Sequence, residues 1–135
     1  MQNALVIIAG AILAVGFVLI ARKSGNYRKE KKIYSLGLIV AALIYVGFGI
    51  FSGSAWWNLT ELGGVLIYAS FAVLGLRRSG WFLSAGWALH VLWDAVLHGE
   101  QAADFVPYWY QMLCIGFDLL LAGYIGFRQR MEAAE

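Results

Sequence analysis

Two histidines and two aspartates stand at a spacing that could do chemistry. His90, Asp94 and His98 follow one another every fourth residue, and Gln111, Cys114 and Asp118 follow at i, i+3 and i+7 in the next apolar stretch. At about 100° per residue a step of four drifts by only about 40°, so each set lines one face of a helix. Two such stripes on consecutive helices can face each other. Three chemistries then compete. Imidazole and carboxylate suit zinc, iron or manganese, and two histidines with one or two aspartates could supply three or four ligands with an open position. On a straight helix His90 and His98 lie about 12 Å apart and cannot share an ion. Either one of them binds with Asp94 and Asp118, or Glu61 completes a site at His98. In the second chemistry the same groups exchange protons, with Asp94 or Asp118 as base and His90 as acid. In the third, His90 and Asp118 only hydrogen-bond across the helix pair and fix its register. Trp93, Trp109 and Tyr110 would wall the pocket.

Other chemistries lack their residues. No GxSxG elbow, HExxH pair, glycine-rich phosphate loop or CxxC pair occurs, which leaves serine hydrolases, zincins, nucleotide binding and disulfide exchange without a motif. The single cysteine, Cys114, has no intramolecular disulfide partner and reads as a small packing residue. Two histidines eight apart on one helix make a poor bis-histidine haem site, although in a dimer His90 could meet its symmetry mate.

These groups need elements to hold them, and composition says which. Of 135 residues, 61% are hydrophobic and 13% charged, far from the averages of a soluble domain. A helix crosses about 30 Å of hydrocarbon with about 20 apolar residues. Five stretches qualify, at residues 4–21, 33–53, 59–76, 81–98 and 108–127. The first is not a cleaved signal, because its basic residues follow the apolar run instead of preceding it. Threading the chain with the amino terminus outside puts all ten basic residues inside: Arg22, Lys23, Arg28, Lys29, Lys31, Lys32, Arg77, Arg78, Arg128 and Arg130. The fourth connection, outside, holds only Glu100 and Asp104. This is the distribution that the positive-inside rule requires. The basic run RKSGNYRKEKK is then a topogenic loop lying on anionic lipid head groups, and nothing in it calls for nucleic acid.

Trp56, Trp57, Tyr108 and Trp109 fall at the outer interface, with Tyr34, Trp81 and Tyr124 toward the inner one. Gly37 and Ala41, and Gly49 and Gly53, form small-xxx-small pairs suited to close helix packing. An echo between Leu43-Ile44-Tyr45 and Leu66-Ile67-Tyr68 is too short to define a repeat. At 1.5 Å per residue Asp94 lies about 6 Å, His90 about 12 Å and Asp118 about 15 Å below the outer boundary. Glu61 enters the third helix near the level of His98. The expectation is a polar cleft open to the outer face and closing near the midplane.

The run Trp87-x2-His90-Val91-Leu92-Trp93-Asp94-x3-His98, followed by Pro107-x-Trp109-Tyr110 and Cys114-x3-Asp118, resembles a group of small, uncharacterised bacterial integral-membrane proteins over residues 81–124. The resemblance implies a membrane location and no particular reaction.

The sequence thus predicts one all-α transmembrane domain over residues 1–135: five helices in a bacterial cytoplasmic membrane, amino terminus outside and carboxyl terminus inside. His90, Asp94, His98 and Asp118 would bind a divalent metal or exchange protons while a small or lipidic molecule is handled from the outer leaflet. A proton-coupled carrier or channel subunit, and an accessory subunit of a larger membrane complex, are the alternatives. Membrane lipids and a homo-oligomer or larger complex are the expected partners.

Overall fold

The computed structural model describes residues 1–98 and 105–135, and these form five helices: α1 (Gln2–Arg22), α2 (Tyr27–Ser52), α3 (Ala55–Arg77), α4 (Gly80–Leu97) and α5 (Tyr108–Ala134). The expected outer-loop residues Glu100 and Asp104 lie outside the described residues. Helices α1, α2, α3 and α5 are long and apolar enough to cross a membrane. The remaining helix, α4, is the shortest at 18 residues and carries His90 and Asp94 within them.

Polar caps move several boundaries away from the apolar stretches. Helix α2 begins at Tyr27, six residues before the predicted start, because the Asn26 side chain accepts the Lys29 amide at 2.9 Å, satisfying one of the free donors of the first turn. Gly25, at φ 92°, closes the preceding turn in the left-handed region. The basic loop therefore shrinks to residues 23–26, and Arg28, Lys29, Lys31 and Lys32 stand on the first turns of a helix. Ser54 caps α3 through the Trp57 amide, so Trp56 and Trp57 are helical too. Gly53 serves as the left-handed C-cap of α2 and not as a packing glycine; Gly49, its predicted partner, does pack, against Asn58 and Glu61 of α3. Helix α5 runs seven residues past residue 127, through Arg128 and Arg130.

Around the bundle the helices follow the order α1, α5, α4, α3, α2. Helices α1 and α5 meet backbone to backbone: a Cβ on Gly10 would strike the carbonyl of Leu113, and one on Gly116 the carbonyl of Ile7. Close approach at small residues is how helices associate without a hydrophobic driving force. The ring is weakest between α2 and α1, which pack far less extensively than the other neighbours. One end of the bundle joins Asn3 to Tyr108 at 3.2 Å. The other joins Tyr27 to the Ile125 carbonyl and the Gly80 amide to Gln129, and the basic residues belong to this second end.

Polarity is distributed inside out. Leu5, Ile8, Ile12, Leu19, Leu66 and Val96 face outward, while Glu30, Glu61, His90, Asp94, His98 and Asp118 are buried with Tyr34, Tyr45, Trp87 and Leu121. Polar side chains inside find backbone carbonyls on other helices, as Ser35 does at Ala72, Ser84 at Ala122 and Tyr68 at Leu89. A bundle whose exterior is the apolar surface is matched to an apolar solvent.

Candidate functional site

The one-face stripe on α4 divides between two neighbours. His90 turns to α5, where its Nδ1 lies 2.7 Å from Asp118 Oδ2 and 3.7 Å from Asp94 Oδ2, one turn further along α4. One imidazole therefore faces two carboxylates, and none of the three residues is more than 2% exposed. One ligating atom from each can be chosen so that all lie within 4.8 Å of one another. His90 Nε2 and both oxygens of Asp94 have no hydrogen-bond partner in the protein. Buried polar atoms are normally paired, and three orphans in one cluster call for an explanation. Two ionised acids buried against one base would leave net negative charge in a low dielectric, which either a proton or a metal cation would neutralise.

His98 turns the other way, to α3. Its Nε2 pairs with Glu61 Oε1 at 2.5 Å, and the other Glu61 oxygen accepts the Trp93 indole N–H at 3.3 Å. Here one base meets one acid. Tyr45 stacks on the His98 ring at 4.4 Å, with Trp57 and Phe105 around it at 6.0 and 6.1 Å; His98 Nδ1 alone is left without a partner.

The four predicted polar residues thus do not form one group: His90, Asp94 and Asp118 come together, and His98 pairs with Glu61. Trp93 contacts Glu61 without walling the His90 centre, whereas Trp109 is 59% exposed and lines nothing. It precedes Tyr110 by one residue, and the 100° step that aims Tyr110 at Tyr45 and Phe48 aims Trp109 outward. Gln111 donates to the Val106 carbonyl and takes no part in the centre. Where an outward-opening cleft was expected, among the described residues His90, Asp94 and Asp118 are buried in the core and do not line a cleft at the outer end. Haem ligation across a dimer has no exposed imidazole to use, since His90 is fully buried.

Sequence reasoning missed three contributors. Tyr45 and Tyr68, the tyrosines of the short echo, both lie against the His90 ring, at 5.6 and 4.9 Å. A tyrosine in mid-helix in an apolar segment needs a partner for its hydroxyl, and that was the available signal. The third is Glu30, counted with the basic loop but 3% exposed, accepting from Tyr34, Tyr124 and Arg128 at 3.3, 3.4 and 3.3 Å. Beside it, Arg128 and Lys31 sit over the Tyr27 ring, and burial pushes the Tyr27 phenol up to about 12.

A small all-helical protein with long apolar helices and a buried imidazole–dicarboxylate centre is the class that these features define. The chain belongs to a family of unknown function, DUF6010, whose model matches residues 5–131 and so reaches well beyond the 81–124 resemblance. No curated protein and no solved structure matches it.

Proposed function

We propose that this protein spans a bacterial cytoplasmic membrane five times, amino terminus outside, and that His90, Asp94 and Asp118 hold one divalent metal ion that acts on a small or lipidic molecule. The observation that carries this reading is the convergence of three buried potential ligands with three unpartnered atoms among them. The competing reading is proton exchange at the same groups, in which the Tyr45 hydroxyl, also unpartnered in the protein, would relay to Asp94. The nitrogen and oxygen donor set suits zinc, iron or manganese. With three protein ligands the ion keeps an open position, and there it would supply Lewis-acid or redox chemistry. The chain's own part is to fix the donors on two packed helices and to keep bulk water away with the rings of Tyr45 and Tyr68. In this reading α4 is the fifth span, a short apolar helix interrupted by His90 and Asp94 because it carries the centre.

Elemental analysis of protein purified in detergent tests the metal. Near-stoichiometric zinc, iron or manganese should be present in the parent and lost in both His90→Ala and Asp94→Ala. Equal metal in parent and variants, or none in the parent, would contradict the reading. Topology has a separate test in intact cells: a cysteine replacing Ser54 should react with an impermeant thiol reagent and one replacing Ser79 should not. Labelling at Ser79 would overturn the orientation.

A further inference from the structure

The seam between α1 and α2 is more than loose packing. Between α1, α2 and α5 lies a cavity of about 280 Å³, walled by Leu13 and Phe17, by Val40 and Ala41, and by Leu113 and Phe117. Its lining also includes Trp87 and Asp118, which are 1% and 2% exposed. Asp118 is a member of the His90 centre, so the cavity reaches that centre from the side. The Trp87 indole N–H is buried and has no partner. Gly37 lines the space and lets the rings of Phe17 and Trp87 pack directly on the α2 backbone: a Cβ there would press on them at 3.2 and 3.3 Å.

We infer that this cavity is a lateral binding site for a single hydrocarbon chain, the acyl or isoprenoid chain of a membrane lipid, entering between α1 and α2. The wall chemistry and the depth favour this occupant over a water-soluble molecule. Most of the wall is apolar, and its polar groups, Trp87, Tyr110, Cys114 and Asp118, come from α4 and α5, so a polar solute would lose hydration along the α1–α2 side without regaining hydrogen bonds there. Asp118 lies ten residues into α5, about 15 Å from the helix start, which is half the hydrocarbon thickness. At that level an outer-leaflet lipid presents the middle or end of its chain, never its head group. The volume is at the small end for ligand sites, enough for a segment of one chain. Entry from the side also accounts for a centre that, among the described residues, lines no cleft at the outer end. The inference rests on the proposed metal centre for its significance, but not for its test.

The test is photocrosslinking in liposomes with a phospholipid that carries a diazirine at mid-chain, beside one that carries it next to the head group. Mid-chain probe should label Leu13, Val40 and Leu113 about tenfold above Ile8 and Leu66, which face lipid away from the seam. The head-group probe should not. Val40→Trp, at an exposed position on the cavity rim, should remove the excess while leaving metal content at the parental level; Ala41→Phe provides a second filling variant. Labelling of the cavity positions no stronger than at Ile8 and Leu66, or an excess that both filling variants leave intact, would overturn the lateral site. Preferred mid-chain labelling in a protein that contains no metal would uphold the site and remove the metal reading instead.

Discussion

His90 and His98 sit two turns apart on one helix, and the contrast between them teaches more than either alone. His98 has one carboxylate, Glu61, whose second oxygen is taken by Trp93. His90 has two carboxylates, and one of them, Asp94, lies 3.7 Å away and makes no hydrogen bond. The first is a balanced acid–base pair of the kind that fixes helix register. The second is unbalanced in charge and in hydrogen bonds, and insertion of an ionised group into a bilayer costs about 2.5–3.5 kcal/mol even on the most lenient scales. A bound cation would offset that cost, and this is what the proposed metal site asks of the second centre. Tyr45 touches both rings, so the two centres share a wall while differing in what they lack.

The sharpest way to break the contrast is substitution at Asp94. Asp94→Asn keeps shape and volume but removes a charged ligand, and metal per chain should fall below about a tenth of the parental value, while the protein remains folded in detergent. Elemental analysis with circular dichroism checks both halves; retained metal would make the His90 centre a second structural pair.

At His98 the expected damage is to stability. Glu61→Ala strands a buried imidazole and the Trp93 indole, for a loss of about 3–5 kcal/mol, read from denaturant unfolding in detergent, with metal content unchanged in the fraction that remains folded. Replacing both partners together, Glu61→Leu with His98→Leu, should restore part of that loss, since the imidazole is no longer stranded and only the Trp93 indole N–H is left without its acceptor. Loss of metal in this double variant would show that the two centres act as one.

Glu30 offers a second balanced cluster, at the basic end and nearer to water. Glu30→Gln should cost about 1 kcal/mol and be sensitive to salt, because Arg128 is 27% exposed. The smallest effect concerns Tyr27 beside it. Its phenol moves from 10.0 to about 12 chiefly by burial, so between those values the folded chain binds more protons than the unfolded one and stability falls as pH rises. Tyr27→Phe should flatten that part of the alkaline decline without changing metal content.

The helices were legible because hydrocarbon thickness and charge placement constrain apolar segments directly, and all five appear. The starts of α2 and α3 were not, although those of α4 and α5 fall within one residue of the apolar stretches. The first turns of α2 and α3 are polar turns made helical by Asn26 and Ser54, and an apolar window does not register them. In the site, fourfold spacing identified the residues of one face but not their partners. His90 and His98 share that face and still turn to different helices, because partner choice depends on whether α5 or α3 lies nearer at each depth. Tyr45 and Tyr68 come from α2 and α3, outside any pattern local to α4 and α5. The cavity at the α1–α2 seam was illegible for a related reason: it results from a contact that α2 does not make, and an absent contact leaves no spacing behind.

X-ray absorption at the edge of the bound metal tests the central claim most directly. The edge identifies the element, and the scattering around it counts the ligands. One imidazole per metal, completed by oxygen donors and unchanged in His98→Gln, is the predicted result. Two imidazoles per metal, a sulfur shell from Cys114, or no metal edge in the purified protein would contradict it.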